Sequence, residues 1–244
     1  KLQVAGLNNQ NRAQNGLLVL LFVILTYCGY QSVSAFVANL NFYAAKNVIE
    51  PLQSGESTVE STVETAELSA AKSAAEAAIA LHSGLALYTD MLSTVKQWQA
   101  LKSDNRDVAL KLLDEAELLN LTSLETRPSW PVTWANLVYI KWEKGEFDDD
   151  FLRYLNNATH YGPNTPEVHQ VIAALGVYLY RNDIRMFLSN KDVLKTHIIK
   201  GVIHPKTRRT VLGNVKAAGA QQLVCSWSQG RFSAARKLLS CDKS

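Results

Sequence analysis

The chain has 244 residues, a hydrophobic fraction of 47% and a formal net charge of +3. This modest charge gives no argument for nucleic-acid binding, and three cysteines are too few for a disulfide framework or a closed zinc site. The sequence also lacks the phosphate-loop, dinucleotide-binding, nucleophile-elbow and zinc-protease motifs, so we predict no cofactor and no catalytic residues.

The first predicted element is a transmembrane helix over residues 17–38. The segment that starts at Leu17 carries no charged residue before Lys46, and about 20 apolar residues suffice to cross a bilayer core. Residues 1–16 are expected in the cytoplasm, because Arg12 precedes the span and mainly acidic residues follow it. The body is therefore predicted to be periplasmic.

A cleaved signal peptide is the alternative interpretation of this segment. The most apolar part is short, and Val33-Ser34-Ala35 offers the small residues that a cleavage site requires. A lipoprotein is disfavoured, since bulky Tyr27 stands directly before Cys28. All three interpretations deliver the body to the same side of the membrane.

A polar acidic linker is predicted over residues 39–68, followed by a helical-repeat domain over 69–241. The near-duplication of Ser-Thr-Val-Glu in residues 57–64 is low in bulky apolar groups and is typical of a linker. One long helix, bent near Gly84, is expected from residue 69 to 102, and another from 107 to 119.

The central segment predicts a helical hairpin of the tetratricopeptide type, with helices over 133–144 and 148–160. Trp134 and Leu137 have the W-x-x-L spacing that opens such a repeat, and Thr133 is a candidate N-cap. The residues predicted to form the structural core of this unit are Trp130, Trp134, Leu137, Trp142, Gly145 and Phe147.

The block RPSWPVTWANLVYIKW, which starts at Arg127, and the turn that ends at Phe147 resemble the VpsP-type polysaccharide biosynthesis proteins of Gram-negative bacteria. The later Gly162-Pro163 and the layout of a membrane segment before a small helical domain are similar as well. This resemblance implies a single-pass inner-membrane protein that assists exopolysaccharide production and biofilm formation. Its implied partners are protein components of a synthesis or export system.

The C-terminal half predicts helices over 166–180 and 191–201 and a last pair over 206–227 and 231–240, with a turn at Gly230. No strand pattern competes with these helices. We therefore predict an all-α fold, in which one transmembrane helix precedes an irregular tetratricopeptide-like stack of antiparallel helices.

Lysine and arginine cluster between residues 191 and 216. Clustered cations attract an anionic glycan, lipid phosphate or acidic protein surface, whereas the simpler interpretation is a solvated helix face. We favour the solvated face because no stacking aromatics are interleaved, and we predict no nucleic-acid partner. The candidate partner or anion contacts are Lys200, Lys206, Arg208, Arg209 and Lys216.

Three further pairs of residues are candidates for chemistry. Cys225 and Cys241 are a candidate disulfide, but their unequal distances from the turn at Gly230 leave both the bridged and the free state open. His197 and His204 lie seven residues apart, and we interpret them as solvated surface histidines in preference to a metal site. The acidic pair that a glycan-modifying enzyme would need is offered by Glu143 and Glu146, although a solvated helix end explains both residues better.

The leading hypothesis is a non-catalytic, membrane-anchored scaffold for exopolysaccharide synthesis or export. Stacked helical hairpins commonly bind peptides or protein partners on their concave side. A generic envelope scaffold of a secretion or pilus system is the first alternative, because a repeat fold does not determine its ligand. The glycan-modifying enzyme is the second.

Overall fold

The computed structural model describes residues 2–53, 65–228 and 233–241. Within these ranges the chain forms twelve helices and no strand, which confirms the all-α class. The helices are α1 (Leu2–Gln53), α2 (Thr65–Leu81), α3 (Ala86–Leu101), α4 (Arg106–Thr126), α5 (Pro131–Lys144), α6 (Asp149–Tyr161), α7 (Pro166–Asn182), α8 (Ile184–Ser189), α9 (Lys191–Ile203), α10 (Arg208–Ala217), α11 (Gln221–Trp227) and α12 (Ser233–Leu239).

Helix α1 is long and apolar enough to cross a membrane, and its side chains over residues 14–33 are exposed. The helix continues without a break beyond the predicted span. Ala45, Ile49 and Leu52 are buried against α2 and α3. The predicted linker is therefore wrong over residues 39–53, because an apolar stripe on this stretch is covered by the body. Residues 65–68 also belong to a helix, and residues 54–64 lie outside the described part of the chain.

The single helix predicted from residue 69 to 102 is wrong as well, since the chain reverses at His82–Leu85 to form the antiparallel pair α2 and α3. Reversal lets both helices bury alanines and leucines against α1, which a continuous helix would leave in solvent. The next break was predicted correctly. Asn105 caps α4 by accepting hydrogen bonds from the backbone N–H groups of Asp107 and Val108.

The central hairpin consists of α5 and α6, close to the predicted bounds. Pro131 occupies the first turn of α5, and Gly145 ends that helix with a φ of 78°, a conformation that glycine adopts without strain. The N-cap is Trp130, so the prediction of Thr133 was wrong. The hydroxyl of Thr133 is buried and donates to Asp90 on α3 at 2.9 Å.

The predicted core signature of this hairpin divides into three groups. Leu137 is fully buried, as predicted. Trp134, Trp142 and Phe147 are partly buried and pack against the main core. Trp130 is 44% exposed and Gly145 is exposed as well, so their prediction as core was wrong. Trp130 lies before the first turn of α5, and Gly145 lies in the turn that follows this helix.

The predicted helix over 206–227 is interrupted. Gly219, with a φ of 65°, separates α10 from the short α11. A disulfide bond joins Cys225 to Cys241 with a Cα–Cα distance of 5.7 Å, which decides the alternative that the sequence left open. It ties α11 to the segment after α12. The predicted turn at Gly230 lies outside the described residues.

Antiparallel packing places alternate connections at the same end of the stack. The hydroxyl of Ser34 on α1 donates to the carbonyl of Leu81 at 2.8 Å. A Cβ on Gly162 would lie 2.6 Å from the Cβ of Pro131, and Lys200 donates to the carbonyl of the residue after Gly162. We call this end, made by residues 82–85, 127–130, 162–165 and 204–207, the proximal edge.

The opposite end, made by residues 102–105, 145–148, 183–190 and 218–220, is the distal edge. The guanidinium of Arg106 donates there to the carbonyls of Glu143 and Lys144, which joins the start of α4 to the end of α5. Arg181 donates to the carbonyl of Ala217 at 3.3 Å and joins the ends of α7 and α10.

Candidate partner-binding site

A largely apolar groove of about 400 Å³ opens near the distal edge, where the last turns of α5, α7 and α10 meet. Trp142, Val177, Tyr178 and Ala217 line it, and Arg181 is the only charged residue among its lining residues. Concave apolar surfaces with a few polar groups are the usual form of a binding site. The groove is therefore the best candidate for a partner-binding site in the described part of the chain.

Two aromatic rings form one wall of this groove. Trp142 lies in the last turns of α5, and its ring centroid is 5.2 Å from that of Tyr178, which is 40% exposed. Trp142 also makes an edge-on contact with Tyr139 at 5.8 Å. Sequence analysis predicted Trp142 as core; instead it packs against the core with one side and lines the groove. Rigid aromatic pairs of this kind often anchor partners.

The polar residues of the groove are fixed by hydrogen bonds to helix ends. Besides the bond from Arg181 to α10, the side-chain amide of Asn182 donates to the carbonyl of Tyr178 at 2.8 Å. The Arg181 bond joins α7 to α10 at the mouth of the groove, whereas the Asn182 bond lies within the last turn of α7. The shape of the groove thus exists before a partner arrives, which lowers the entropic cost of binding.

The basic segment is split between the two edges. Lys200 donates to Pro163 and Asn164 at 2.5 and 3.1 Å, and Arg208 donates to the last carbonyls of α9. Both side chains therefore hold connections in place. Three other members are exposed and available to an anionic partner. Lys206 and Arg209 lie on the proximal edge, and Lys216 lies at the other end of α10.

A network of ion pairs joins α4, α5 and α6 near the distal edge. Lys141, whose side chain is only 7% exposed, donates to Glu146 at 2.7 Å and to Asp148 at 2.9 Å. Lys144 donates to Glu117 on α4 at 2.9 Å and lies 3.1 Å from Glu146. The two lysines thus fill the space between three helices that the apolar core does not reach.

The pKa values in this network follow from its geometry. Burial alone would lower the pKa of Lys141, but the hydrogen bonds to Glu146 and Asp148 and the charge of Glu117 outweigh it and raise the pKa. Burial would raise the pKa of Glu146, yet the hydrogen bonds from the lysines lower it. Both Lys141 and Glu146 are therefore charged at neutral pH.

A second polar cluster lies between α3, α4 and α5. The carboxylate of Asp90 accepts hydrogen bonds from Arg127 and Thr133. Burial raises the pKa of Asp90, although these partners and Ser123 oppose the shift. Sequence analysis missed the cluster, and the only signal was a polar Thr133 on the packed side of α5. It joins three helices, so it acts as a structural element.

A buried histidine pair was also missed. His169 on α7 and His197 on α9 are nearly inaccessible, and their Nδ1 atoms lie 2.9 Å apart. The interpretation of His197 as a solvated surface residue was therefore wrong. Burial lowers the pKa of His169 to about 4, and burial together with His169 lowers the pKa of His197 to about 3. No group of three or more metal-ligating side chains occurs among the described residues.

The acidic pair of the enzyme hypothesis is not brought together in one cleft. Glu143 lines a cleft of about 280 Å³ with Arg106, and burial raises the pKa of this carboxyl. Glu146 is absent from that lining and is held by Lys141 and Lys144. The second carboxyl of this lining is Asp104, which was not the predicted partner of Glu143.

Comparison with protein-family models, curated protein sequences and solved structures found no match to this chain. The groove and the buried clusters therefore have to be interpreted from their own chemistry.

Proposed function

We propose that the chain is a membrane-anchored, non-catalytic scaffold that binds protein components of an exopolysaccharide synthesis or export system in the bacterial envelope. The scaffold role is supported by the aromatic groove at the distal edge of the helical stack. Membrane anchoring is supported by the apolar helix that precedes the stack. The polysaccharide part is supported only by the resemblance of residues 127–147, and so are the inner-membrane location and the periplasmic body.

The groove suits a short apolar segment of a partner protein. Its aromatic wall offers contact area, and Arg181 offers a charge to a carboxylate or carbonyl of that segment. A generic scaffold of a secretion or pilus system uses the same groove, since the fold does not determine the partner. Deletion separates the two: impaired surface polysaccharide supports our proposal, whereas impaired secretion with normal polysaccharide supports the alternative.

The role of the groove can be tested by filling it. Ala217→Arg places a long side chain in the groove at an exposed helix position, and Asn156→Arg makes a comparable change on the exposed side of α6. We expect the first variant to fold normally but to lose co-purifying partners and surface polysaccharide. The second should behave like the parent. Equal behaviour of the two variants would contradict a role for the groove, and turnover of glycan or nucleotide sugar by the purified parent would overturn the non-catalytic proposal.

A further inference from the structure

The α2–α3 connection is an uncharged tip at the proximal edge. The sequence contains no aspartate, glutamate, lysine or arginine between Glu76 and Asp90. The leucines of this tip are each 39% exposed, namely Leu81, Leu85 and Leu87. His82, Ser83 and Gly84 form the exposed turn, so the apolar part of the tip consists of the three leucines around it. Exposed leucines with no charged residue beside them suit contact with a membrane interface.

Helix α1 determines where this tip lies. The bond from Ser34 to the carbonyl of Leu81 fixes the end of α2 beside residue 34 of α1. The ring of Phe42 packs 5.6 Å from the ring of Tyr88, which holds the start of α3 on the same helix. The tip is thus attached to α1 near residues 34–42.

The rise per residue of α1 gives the depth of the tip relative to the bilayer core. A bilayer core about 30 Å thick is crossed by about 20 helical residues, so a span that starts at Leu17 ends near Phe36. Ser34 then lies about 3 Å inside that boundary. Phe36 is itself 63% exposed, as expected of a residue in contact with lipid. The α2–α3 tip consequently lies at the level where the hydrocarbon core meets the headgroups.

The charged residues nearest to the tip on α1, α2 and α3 have positions that agree with this depth. After the span, α1 carries no charge before Lys46, and α3 carries none before Asp90. On α2 the charge closest to the tip is Glu76, about 7 Å from Leu81 along the helix. Lys46, Asp90 and Glu76 all lie on the side of the tip that faces away from the span. The tip and the span therefore form one continuous region without charge on these three helices.

The rest of the proximal edge carries groups that suit a membrane surface. Trp130 is 44% exposed and holds the guanidinium of Arg127 5.0 Å from its ring, and Tyr161 is 42% exposed. Tryptophan and tyrosine are enriched at membrane interfaces, where exposed cations such as Lys206 and Arg209 attract anionic headgroups.

Charge also differs between the two edges. The acidic run Asp148–Asp150 starts α6 at the distal edge, away from the span. Near the proximal edge, the exposed Glu125 and Glu167 equal the exposed Lys206 and Arg209 in number. Attraction to an anionic bilayer is therefore weaker than the lysine and arginine alone would give, and the apolar tip supplies the remaining contact.

We propose that the proximal edge is a second membrane-contact surface. The leucines of the α2–α3 tip enter the interface of the leaflet from which α1 emerges, and the α4–α5 and α9–α10 connections meet anionic phospholipid headgroups of the same leaflet. The proposal rests on the membrane anchoring by α1. It does not depend on the polysaccharide part of the proposed function, which can fail without affecting any measurement below.

The test uses the full chain in lipid nanodiscs. With Cys28 replaced by serine, a single cysteine labelled with an environment-sensitive fluorophore is introduced at Leu85 or Ser129, and at Leu101 as a control at the distal end of α3. Interfacial insertion should make quenching by lipids with a shallow spin label at least about twofold stronger at Leu85 than at Leu101. Equal quenching at the two positions, or failure of α1 to insert, would overturn the proposal.

The basic part of the edge is tested by charge reversal. In nanodiscs that contain phosphatidylglycerol, Lys206→Glu with Arg209→Glu should reduce the quenching at Ser129, and pure phosphatidylcholine should abolish this difference. The matched pair Arg185→Glu with Lys191→Glu makes the same change in net charge at the distal edge and should leave quenching unchanged. If both pairs act alike, the headgroup contact is overturned. If the reversal at Lys206 and Arg209 instead abolishes binding of a protein, the edge is a protein interface.

Discussion

At the residue scale, Lys141 shows how this stack accommodates a buried charge. Three carboxylates from α4 and the α5–α6 turn surround its ammonium group. Lys141→Met keeps most of the apolar side-chain volume but leaves these carboxylates with one lysine fewer. We expect the variant to lose about 3 kcal/mol of unfolding free energy, measured by urea titration, because breaking a buried ion pair leaves an uncompensated charge.

The control for this experiment is Arg153→Met. Arg153 pairs with Asp150 on the surface of α6, where both side chains are about half exposed. Exposed pairs contribute about 0–1 kcal/mol, so this variant should unfold like the parent. A Lys141 variant that is equally stable would show that the network only fills space.

The histidine pair predicts how stability depends on pH. In the folded protein the pKa of His169 is about 4 and that of His197 about 3, whereas both are about 6.5 in the unfolded chain. As pH falls below 6.5, the two histidines take up protons in the unfolded chain but stay neutral in the folded protein. Unfolding free energy should therefore decrease between pH 6.5 and 4, by up to about 1.4 kcal/mol per pH unit for each histidine.

This pH dependence can be assigned with His197→Asn, which retains a hydrogen-bond donor near the position of Nδ1 and removes one titrating group. Its unfolding free energy should fall less steeply with acidity than that of the parent. His160→Asn removes an exposed histidine and should leave the slope unchanged. If the slope persists in the His197 variant, other groups are responsible for it.

At the element scale, α5 ends where a glycine allows the chain to turn. Gly145 has a φ of 78°, which costs other residues conformational energy, whereas Gly213 lies within α10 with space around a new Cβ. Gly145→Ala should destabilise the protein by about 1 kcal/mol, and Gly213→Ala should stabilise it by about 0.4–1 kcal/mol. Thermal unfolding of both variants gives the signs, and a neutral Gly145→Ala would contradict the capping role.

The sequence predicted helices well where their ends carry strong local signals. Pro131 and Gly145 define α5, and Pro166 starts α7 as expected. Prediction failed at His82–Leu85 and at Gly219, where the flanking segments continue a helical pattern. These reversals are imposed by packing against α1 and against the C-terminal segment, which are tertiary effects that local propensity does not contain.

The candidate site was predicted less well than the fold. Trp142 was found by its spacing, but its role required knowing that Tyr178 and Ala217 come from two other helices. Similarly, nothing in the sequence indicates that His169 meets His197. Pairing between distant helices depends on the register of the whole stack, which irregular repeats do not reveal.

At the scale of the whole molecule, the disulfide reports the compartment of the body. Cys225 and Cys241 close a loop between α11 and the chain segment after α12. A periplasmic body should contain this bond in cells, because the periplasm permits oxidation and the cytoplasm does not. Alkylation of free thiols in freshly lysed cells should therefore modify only Cys28. Modification of all three cysteines would contradict the periplasmic location.

The bond is also expected to stabilise the C-terminal part of the stack. For a loop of about 15 residues, a disulfide contributes about 3 kcal/mol in the chain-entropy treatment. Cys225→Ser with Cys241→Ser should lose stability of this order, measured by urea unfolding, while Cys28→Ser should not. A double variant as stable as the parent would show that α11 and α12 pack without the bond.

The membrane-length part of α1 continues into the body as one unbroken helix. Between Gln14 and Ile49 the helix is about 50 Å long and contains no proline or break at which the body could swivel. A tilt of about 20°, which is common for membrane helices, would shift its upper end sideways by about 17 Å. Contact of the proximal edge with the leaflet would limit this tilt and thereby fix the direction in which the groove points.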